Sequence, residues 1–399
     1  MIQTIVSNAN APEYGQATIS FPIREEDYPS VVNMLQRMDL GDPLERDCRV
    51  DEVCGDWPIL KRLEKVAINL DEMDYLVKRL DSFDTQEKAK FQASAVKYGL
   101  FDMRQLIDLT FCCQETTVIT DFSDLEKVGR SYYLDVNGGA ASKEELENVD
   151  GYETALLLIG DGDGTITPYG VIYDNGMQLR PVYDGKNFPS FQHQDCVLML
   201  GLTHESDLDM NSATTWLFLP ASAERLERAL KRGGFEPGSS IHCTCVGGNI
   251  QEELEARLDF ERESLKNLNT FASAIASIDE AQHAKFKAVI QMANPQSTAE
   301  MTALAQNLDL FDFVPGVHSP REYGEFMIRE SGHFDLDDDL APFIDYEAYG
   351  QKEINAEGGI FNEQGYVTYK GTQSLSELMR PLAEQKHAGS EMRMGGFSR

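Results

Sequence analysis

Apolar residues recur at three- and four-residue spacing through most of this chain, and in a few short stretches they alternate with polar ones. The first spacing puts one helix face against a core, and the second puts one strand face there. The pattern predicts short strands at 17–23 and 214–219. Each ends an apolar run at a proline pair, Phe21-Pro22 and Leu219-Pro220. A helix should follow each, marked by Tyr28, Val31, Val32 and Leu35 in one place and by Leu226, Ala229 and Leu230 in the other. A second strand is expected around 48–53 and again around 241–246. Helices should follow at roughly 58–80, 85–97 and 102–110, then at 250–276, 280–292 and 298–307, with closing helices near 123–134 and 319–330. Asp84 and Asp279 each precede a helical run with acids near its start, the signature of an N-cap.

These two series resemble each other residue by residue. Leu63, Leu70, Met73, Leu76, Leu80 and Phe83 fall on Leu258, Leu265, Leu268, Phe271, Ile275 and Ile278, each 195 positions later. Asp84, Ala89, Lys90 and Phe91 fall on Asp279, Ala284, Lys285 and Phe286 at the same offset, as Cys48 does on Cys243 and Gly129 on Gly324. A constant offset across such a span reads as an internal duplication. The regions 17–135 and 214–330 should then superpose as similar units. Between them, residues 167–173 and 177–182 alternate on either side of Asn175-Gly176, which predicts a hairpin turning there. The expected fold class is therefore α+β: two related, mainly helical α+β units in tandem, separated by a small β-rich insert. The expected boundaries are 1–140 for the first unit, 141–212 for the insert, 213–370 for the second unit with its acidic C-terminal part, and 371–399 for a flexible tail. Within 341–370 the pattern suggests a mixed cap with strands near 359–361 and 365–369.

Charge changes the picture most. The chain of 399 residues carries 67 Asp and Glu against 35 Lys and Arg, a formal net charge of −32. So negative a surface repels nucleic acid and anionic membranes, which excludes direct nucleic-acid binding and points to basic partners or cations. Residues 141–212 hold 13 acids and 3 bases, and 321–370 hold 12 and 4. The first fifteen residues lack a basic segment followed by an apolar core, so no signal peptide is expected. The longest apolar runs, 155–159 and 196–202, are too short to cross a bilayer, so a cytoplasmic protein without membrane contact is expected.

Little in the sequence suggests chemistry. The seven cysteines show no C-x-x-C and no zinc spacing, and read as buried reduced thiols. Asp161-Gly-Asp-Gly-Thr165 begins like a calcium loop but lacks the later ligands and the closing Glu, so a tight polar turn between strands accounts for it better. The histidines are scattered singly, and neither nucleophile elbow nor phosphate-binding glycine loop occurs. No catalytic, cofactor-binding or metal-ligating residues are assigned, no cofactor is expected, and an enzyme is not expected. What remains is Glu322, Glu325, Glu330, Asp335, Asp337, Asp338, Asp339, Asp345, Glu347 and Glu353, all within one short stretch. A helix repeats a face about every 5.4 Å and a strand about every 6.8 Å, whereas DNA carries a phosphate about every 3.4 Å along each strand. Acids displayed on either element can therefore approximate every second phosphate. The plain alternative is a merely soluble acidic surface.

Residues 322–333 (Glu-Tyr-Gly-Glu-Phe-Met-Ile-Arg-Glu-Ser-Gly-His), 343–350 (Phe-Ile-Asp-Tyr-Glu-Ala-Tyr-Gly) and 359–361 (Gly-Ile-Phe) resemble the closing part of the ArdA antirestriction proteins. The Ile-Ser-Phe-Pro-Ile of 19–23 is similar to the family's opening strand. The resemblance implies an anti-defence protein of a mobile genetic element whose elongated acidic dimer imitates bent DNA. Such a protein occupies the DNA-binding subunits of type I restriction-modification enzymes, with Glu322, Glu325, Glu330, Asp335, Asp337, Asp338, Asp339, Asp345 and Glu347 as the expected DNA-mimic face. Tyr323, Phe326, Phe343, Tyr346 and Tyr349 should anchor beneath these acids. A usual family member is less than half as long, and the Tyr-Tyr helix at 131–135 is followed by no Asp-Tyr-x-Ala-Tyr-Gly. Two other readings stand beside it: a non-enzymatic adaptor or regulatory protein of a mobile element with another basic partner, and a hydrolase built on the insert.

Overall fold

The computed structural model describes residues 1–191, 196–204, 214–236, 239–332 and 343–380. Strands β1 (Ile2–Ser7), β2 (Gln16–Phe21), β3 (Cys48–Gly55) and β4 (Ala67–Ile68) pair antiparallel in the order β2-β1-β3-β4. Alternation sends Ile2, Val6, Ala17, Ile19 and Phe21 to one buried face, and a bulge in β3, opposite Ile5 and Val6, brings Val50 and Val53 to the same side. Against it lie α1 (Tyr28–Arg37), α2 (Leu70–Asp81), α3 (Thr85–Tyr98) and α4 (Met103–Leu109). Tyr28, Val32 and Leu35 are the buried residues of α1, at four- and three-residue spacing. Local chemistry fixes the helix starts. The Asn69 side chain accepts the Asp71 and Glu72 amides at the head of α2, and Asp84 forms a capping box with Glu87 on α3. Gly99 ends α3 with φ 65°, a left-handed conformation that glycine adopts without strain.

The chain continues through β5 (Thr116–Ile119), α5 (Leu125–Val136), α6 (Lys143–Asn148), α7 (Gly151–Asp161), β6 (Thr165–Thr167) and β7 (Gly170–Asp174). A second series then begins: β8 (Leu198–His204), β9 (Thr215–Leu219), α8 (Ala223–Arg232), β10 (Ile241–Gly247) and α9 (Glu252–Glu255). It proceeds through α10 (Leu265–Ala276), α11 (His283–Ala293), α12 (Thr298–Gln306), β11 (Phe311–Pro315), α13 (Pro320–Arg329) and α14 (Tyr346–Glu357), and closes with β12 (Ile360–Phe361), β13 (Gly365–Tyr369) and α15 (Leu375–Leu378). About 46% helix and 18% strand, gathered into several small sheets, make the chain α+β.

The two series match in topology. The order β2-β1-β3 reappears as β9-β8-β10, and β5-β7-β6 reappears as β11-β13-β12. Even the register carries over: Thr116 faces Asp174 as Phe311 faces Tyr369, and Thr165 faces Ile172 as Ile360 faces Val367, each residue 195 positions on. A backbone tie repeats as well. The Ile23 amide donates to Asp74 (2.7 Å), and the Ala221 amide donates to Asn269 (2.8 Å).

Several expectations need correction. The stretch 141–212 is not a separate β-rich insert, because α6 and α7 occupy its first part and β7 pairs with β5 across the preceding helices. Its hairpin turns at Pro168-Tyr169, between β6 and β7. Asp174, Asn175 and Gly176 instead end β7: the Asp174 carboxylate accepts the amides of Gly176 and Met177, and no strand follows at 177–182. Residues 162–164 link a helix to a strand rather than two strands. Asp279 begins a single 3-10 turn (Glu280–Gln282) with no side-chain cap bond. The expected helix 58–80 divides into a 3-10 turn (Pro58–Leu63), β4 and α2, and 250–276 divides into α9 and α10. The mixed cap contains a full helix, α14. The expected tail begins with α15 at Leu375, and its residues from 381 onward lie outside the described residues.

The chain divides into two compact units, Met1–Gln192 with Gly201–Leu217 and Ser222–His242, and His193–Leu200 with Phe218–Ala221 and Cys243–Arg399. Helix α8 thus belongs to the first unit, not to the unit its sequence position suggests. Its most buried residues are Arg228 and Arg232, not the expected Leu226, Ala229 and Leu230. The reason is charge: α2 buries Asp71, Glu72 and Asp74, and buried carboxylates require partners. Arg228 pairs with Asp71 at 2.9 Å and Arg225 pairs with Asp74 at 2.8 Å, while Arg232 donates to the Pro43 carbonyl and the Tyr183 hydroxyl. Burial would raise the Asp74 carboxyl, but Lys78, Arg225 and the Ile23 amide hold it below the usual carboxylate range.

Candidate functional site: two acidic helix pairs

The expected acidic face centres on α13 and α14. Ser319 caps α13 by accepting the Glu322 amide, Pro320 opens the helix, and the Glu322 carboxylate accepts the His318 amide at 2.6 Å. Asp345 caps α14 by accepting the Ala348 amide at 3.0 Å. Both acids therefore sit at helix N-termini, where the dipole favours negative charge. The helices meet at small residues: a Cβ on Gly324 would overlap the Tyr346 carbonyl oxygen, and one on Gly350 would overlap the Pro320 carbonyl oxygen. Beneath them Tyr323 packs on Tyr366 with ring centroids 4.2 Å apart. Glu357 accepts hydrogen bonds from the Tyr323 hydroxyl at 2.7 Å and from Lys370 at 2.9 Å. Burial tends to raise the Glu357 carboxyl, yet Lys370 and the two tyrosine hydroxyls hold it below its ordinary value. Burial and this carboxylate together push the Tyr323 hydroxyl well up.

Glu322, Glu330, Asp345 and Glu347 are exposed, and Glu325 is half-buried and pairs with Arg329 at 3.3 Å. Asp335, Asp337, Asp338 and Asp339 lie outside the described residues. Of the expected anchors, Tyr323 is buried and Phe326, Tyr346 and Tyr349 are half-buried. Phe343 is 84% exposed, because it precedes the Asp345 cap and so cannot join the inward stripe of α14.

A second acidic helix pair, missed by the sequence reading, occupies the corresponding place in the first series. Asp150 caps α7 by accepting the Glu153 amide, 195 positions before Asp345 and Ala348. A Cβ on Gly129 would overlap the Gly151 carbonyl oxygen, as one on Gly324 would overlap that of Tyr346. Glu126 accepts the Tyr152 amide at 2.9 Å and pairs with Arg130 at 2.8 Å. Glu144, Glu145, Glu147, Asp150 and Glu153 are all exposed. The signal that could have found this pair was the offset itself, which sets Asp150 and Ala155 under Asp345 and Gly350.

The model of the antirestriction protein (ArdA) family matches residues 211–368. This part of the chain is ArdA-like. The match encloses α13 and α14 with their acids, and the family implies an antirestriction role involving restriction-modification enzymes. A search of curated proteins found no match. Among the described residues no group of His, Cys, Asp and Glu could hold a metal ion, and no helix is long and apolar enough to cross a membrane. The seven cysteines form no disulfide with one another, and burial pushes Cys112 and Cys243 up to about 11, away from the reactive thiolate.

Proposed function

We propose that this protein is a non-enzymatic antirestriction protein of a mobile genetic element. It acts in the cytoplasm as an acidic DNA mimic that fills the DNA-binding groove of type I restriction-modification enzymes. The observation that carries this reading is the ArdA match over 211–368, within which Glu322, Glu330, Asp345 and Glu347 stand exposed on a helix pair packed closely at Gly324 and Gly350. Carboxylates fixed on a stiff scaffold gain the steering and counterion release that a phosphate backbone gains in the same groove. The matching order and register of the two series support a second part of the reading, that the chain arose by tandem duplication of one such unit. Inhibition of a purified type I enzyme, with duplex DNA as competitor across a salt series, tests the proposal. A mimic is displaced by DNA and loses affinity steeply with salt. An adaptor with another basic partner is not displaced, and that outcome would overturn mimicry.

A further inference from the structure

The outer face of α7 is apolar where a surface helix is ordinarily polar. Gly151, Ala155 and Leu158 face inward, whereas Tyr152, Leu156 and Ile159 form a second stripe at four- and three-residue spacing, with Leu157 beside it. Their exposures are 53%, 46%, 38% and 64%. The fold does not demand this, because α14 carries Glu347, Gln351 and Lys352 at the positions of Tyr152, Leu156 and Leu157. Contiguous exposed apolar groups of this kind mark interaction surfaces. Residues 141–170 contain seven acids and a single base, and that base, Lys143, pairs with Glu147 at 3.7 Å.

We propose that this face docks a protein surface whose apolar patch is ringed by Lys and Arg, with Tyr152, Leu156 and Leu157 supplying affinity and the acids supplying orientation. Charge selects this occupant. A second copy would bring two acidic fringes together, and an anionic membrane would be repelled in the same way. The proposal rests on the reading above that the natural partner is a basic DNA-binding protein.

The test compares the full chain with L156Q/L157Q, whose polar side chains α14 already tolerates at the matching positions and whose folding is checked by thermal melting. Binding to a purified type I restriction-modification enzyme should weaken at least roughly tenfold at every salt concentration, because the lost contact is apolar. The salt slope should stay unchanged. Equal affinities would overturn the docking proposal while DNA-displaceable wild-type binding left the functional reading intact. If the wild type bound no such enzyme, the functional reading would fail, and an amphipathic Lys/Leu helical peptide would decide the docking face. Peptide binding lost in L156Q/L157Q supports it, and equal or absent binding overturns it. Wild-type self-association abolished in L156Q/L157Q would make a second copy the occupant and also overturn it.

Discussion

Helix pairs α5–α7 and α13–α14 share a backbone plan and differ in what they show to solvent. Both begin from a strand, both place an Asp cap at the head of the second helix, and both return through a hairpin that pairs in the same register. In each, a glycine on the first helix leaves no room for a Cβ beside the second. Outward, one pair displays Tyr152, Leu156 and Leu157, and the other Glu347, Gln351 and Lys352. The contact between helices fixes the scaffold, so the outer positions are free to be given to different partners. A second contrast lies at the base of each series. The amide after the proline turn is held by a charged Asp74 in one and by a neutral Asn269 in the other, and only the charged version recruits Arg225.

The same helix pairing includes Arg228 with Asp71, and these buried ion pairs, set against the neutral Asn269, yield the largest expected effect. Arg228→Met removes the cation beside the buried Asp71, leaving only the Tyr28 hydroxyl donating to it at 2.6 Å, and should cost roughly 3–5 kcal/mol, whereas Asn269→Ala should cost only about 1 kcal/mol. Denaturant unfolding monitored by circular dichroism measures both. Equal costs would show that the ion pairs of α8 add nothing to the neutral arrangement.

Next come the helix contacts. Gly129→Val and Gly324→Val should each destabilise by about 2–3 kcal/mol, since the added carbons meet backbone that cannot move aside cheaply. Tolerance of one but not the other would break the equivalence of the pairs.

Acid sensitivity should follow the charged tie. The folded pKa of Asp74 is depressed, so its contribution is present above the ordinary Asp value near 3.8 and is lost as pH falls through the lower folded value. Stability should therefore drop below about pH 4. Asp74→Asn should lower neutral-pH stability and shrink this drop, and a melting series between neutral and acidic pH checks it. An undiminished acid transition would locate the sensitivity elsewhere, for example at Asp174 or Glu357, whose carboxyls are also depressed.

The smallest effect on stability is expected from E325Q/E330Q/E347Q/E353Q, which spares both capping acids. Exposed pairs contribute roughly 0.2–1 kcal/mol each, so the melting temperature should hardly move or should rise as self-repulsion falls. Inhibition of a type I enzyme should weaken by roughly 1–3 kcal/mol with a flatter salt dependence. Unchanged inhibition would move the working face to α5–α7.

Much of this molecule could be read from the chain because the forces concerned are local. The spacing of Tyr28, Val32 and Leu35 declares an inward helix face, and Asp84 with Glu87 declares a helix start, since caps and stripes involve residues three or four apart. The offset of 195 and the acidic closing segment are likewise properties of the sequence alone. Pairings between distant segments are not. No local signal told that 170–174 would join 116–119, so that stretch read as a hairpin of its own when it completes an older sheet. On α8 the spacing pointed to Leu226, Ala229 and Leu230; arginine is rarely buried, and only the carboxylates of α2 made burial of Arg228 and Arg232 favourable. On α7, Leu156 and Leu157 read as part of an apolar run, and only packing revealed which side of the helix the core had already filled. Sequence determined the elements, their caps and their charge, because these depend on neighbours along the chain. Tertiary structure decided which strands pair, which charges are buried and which apolar face remains open, because those depend on segments brought together only when the chain folds.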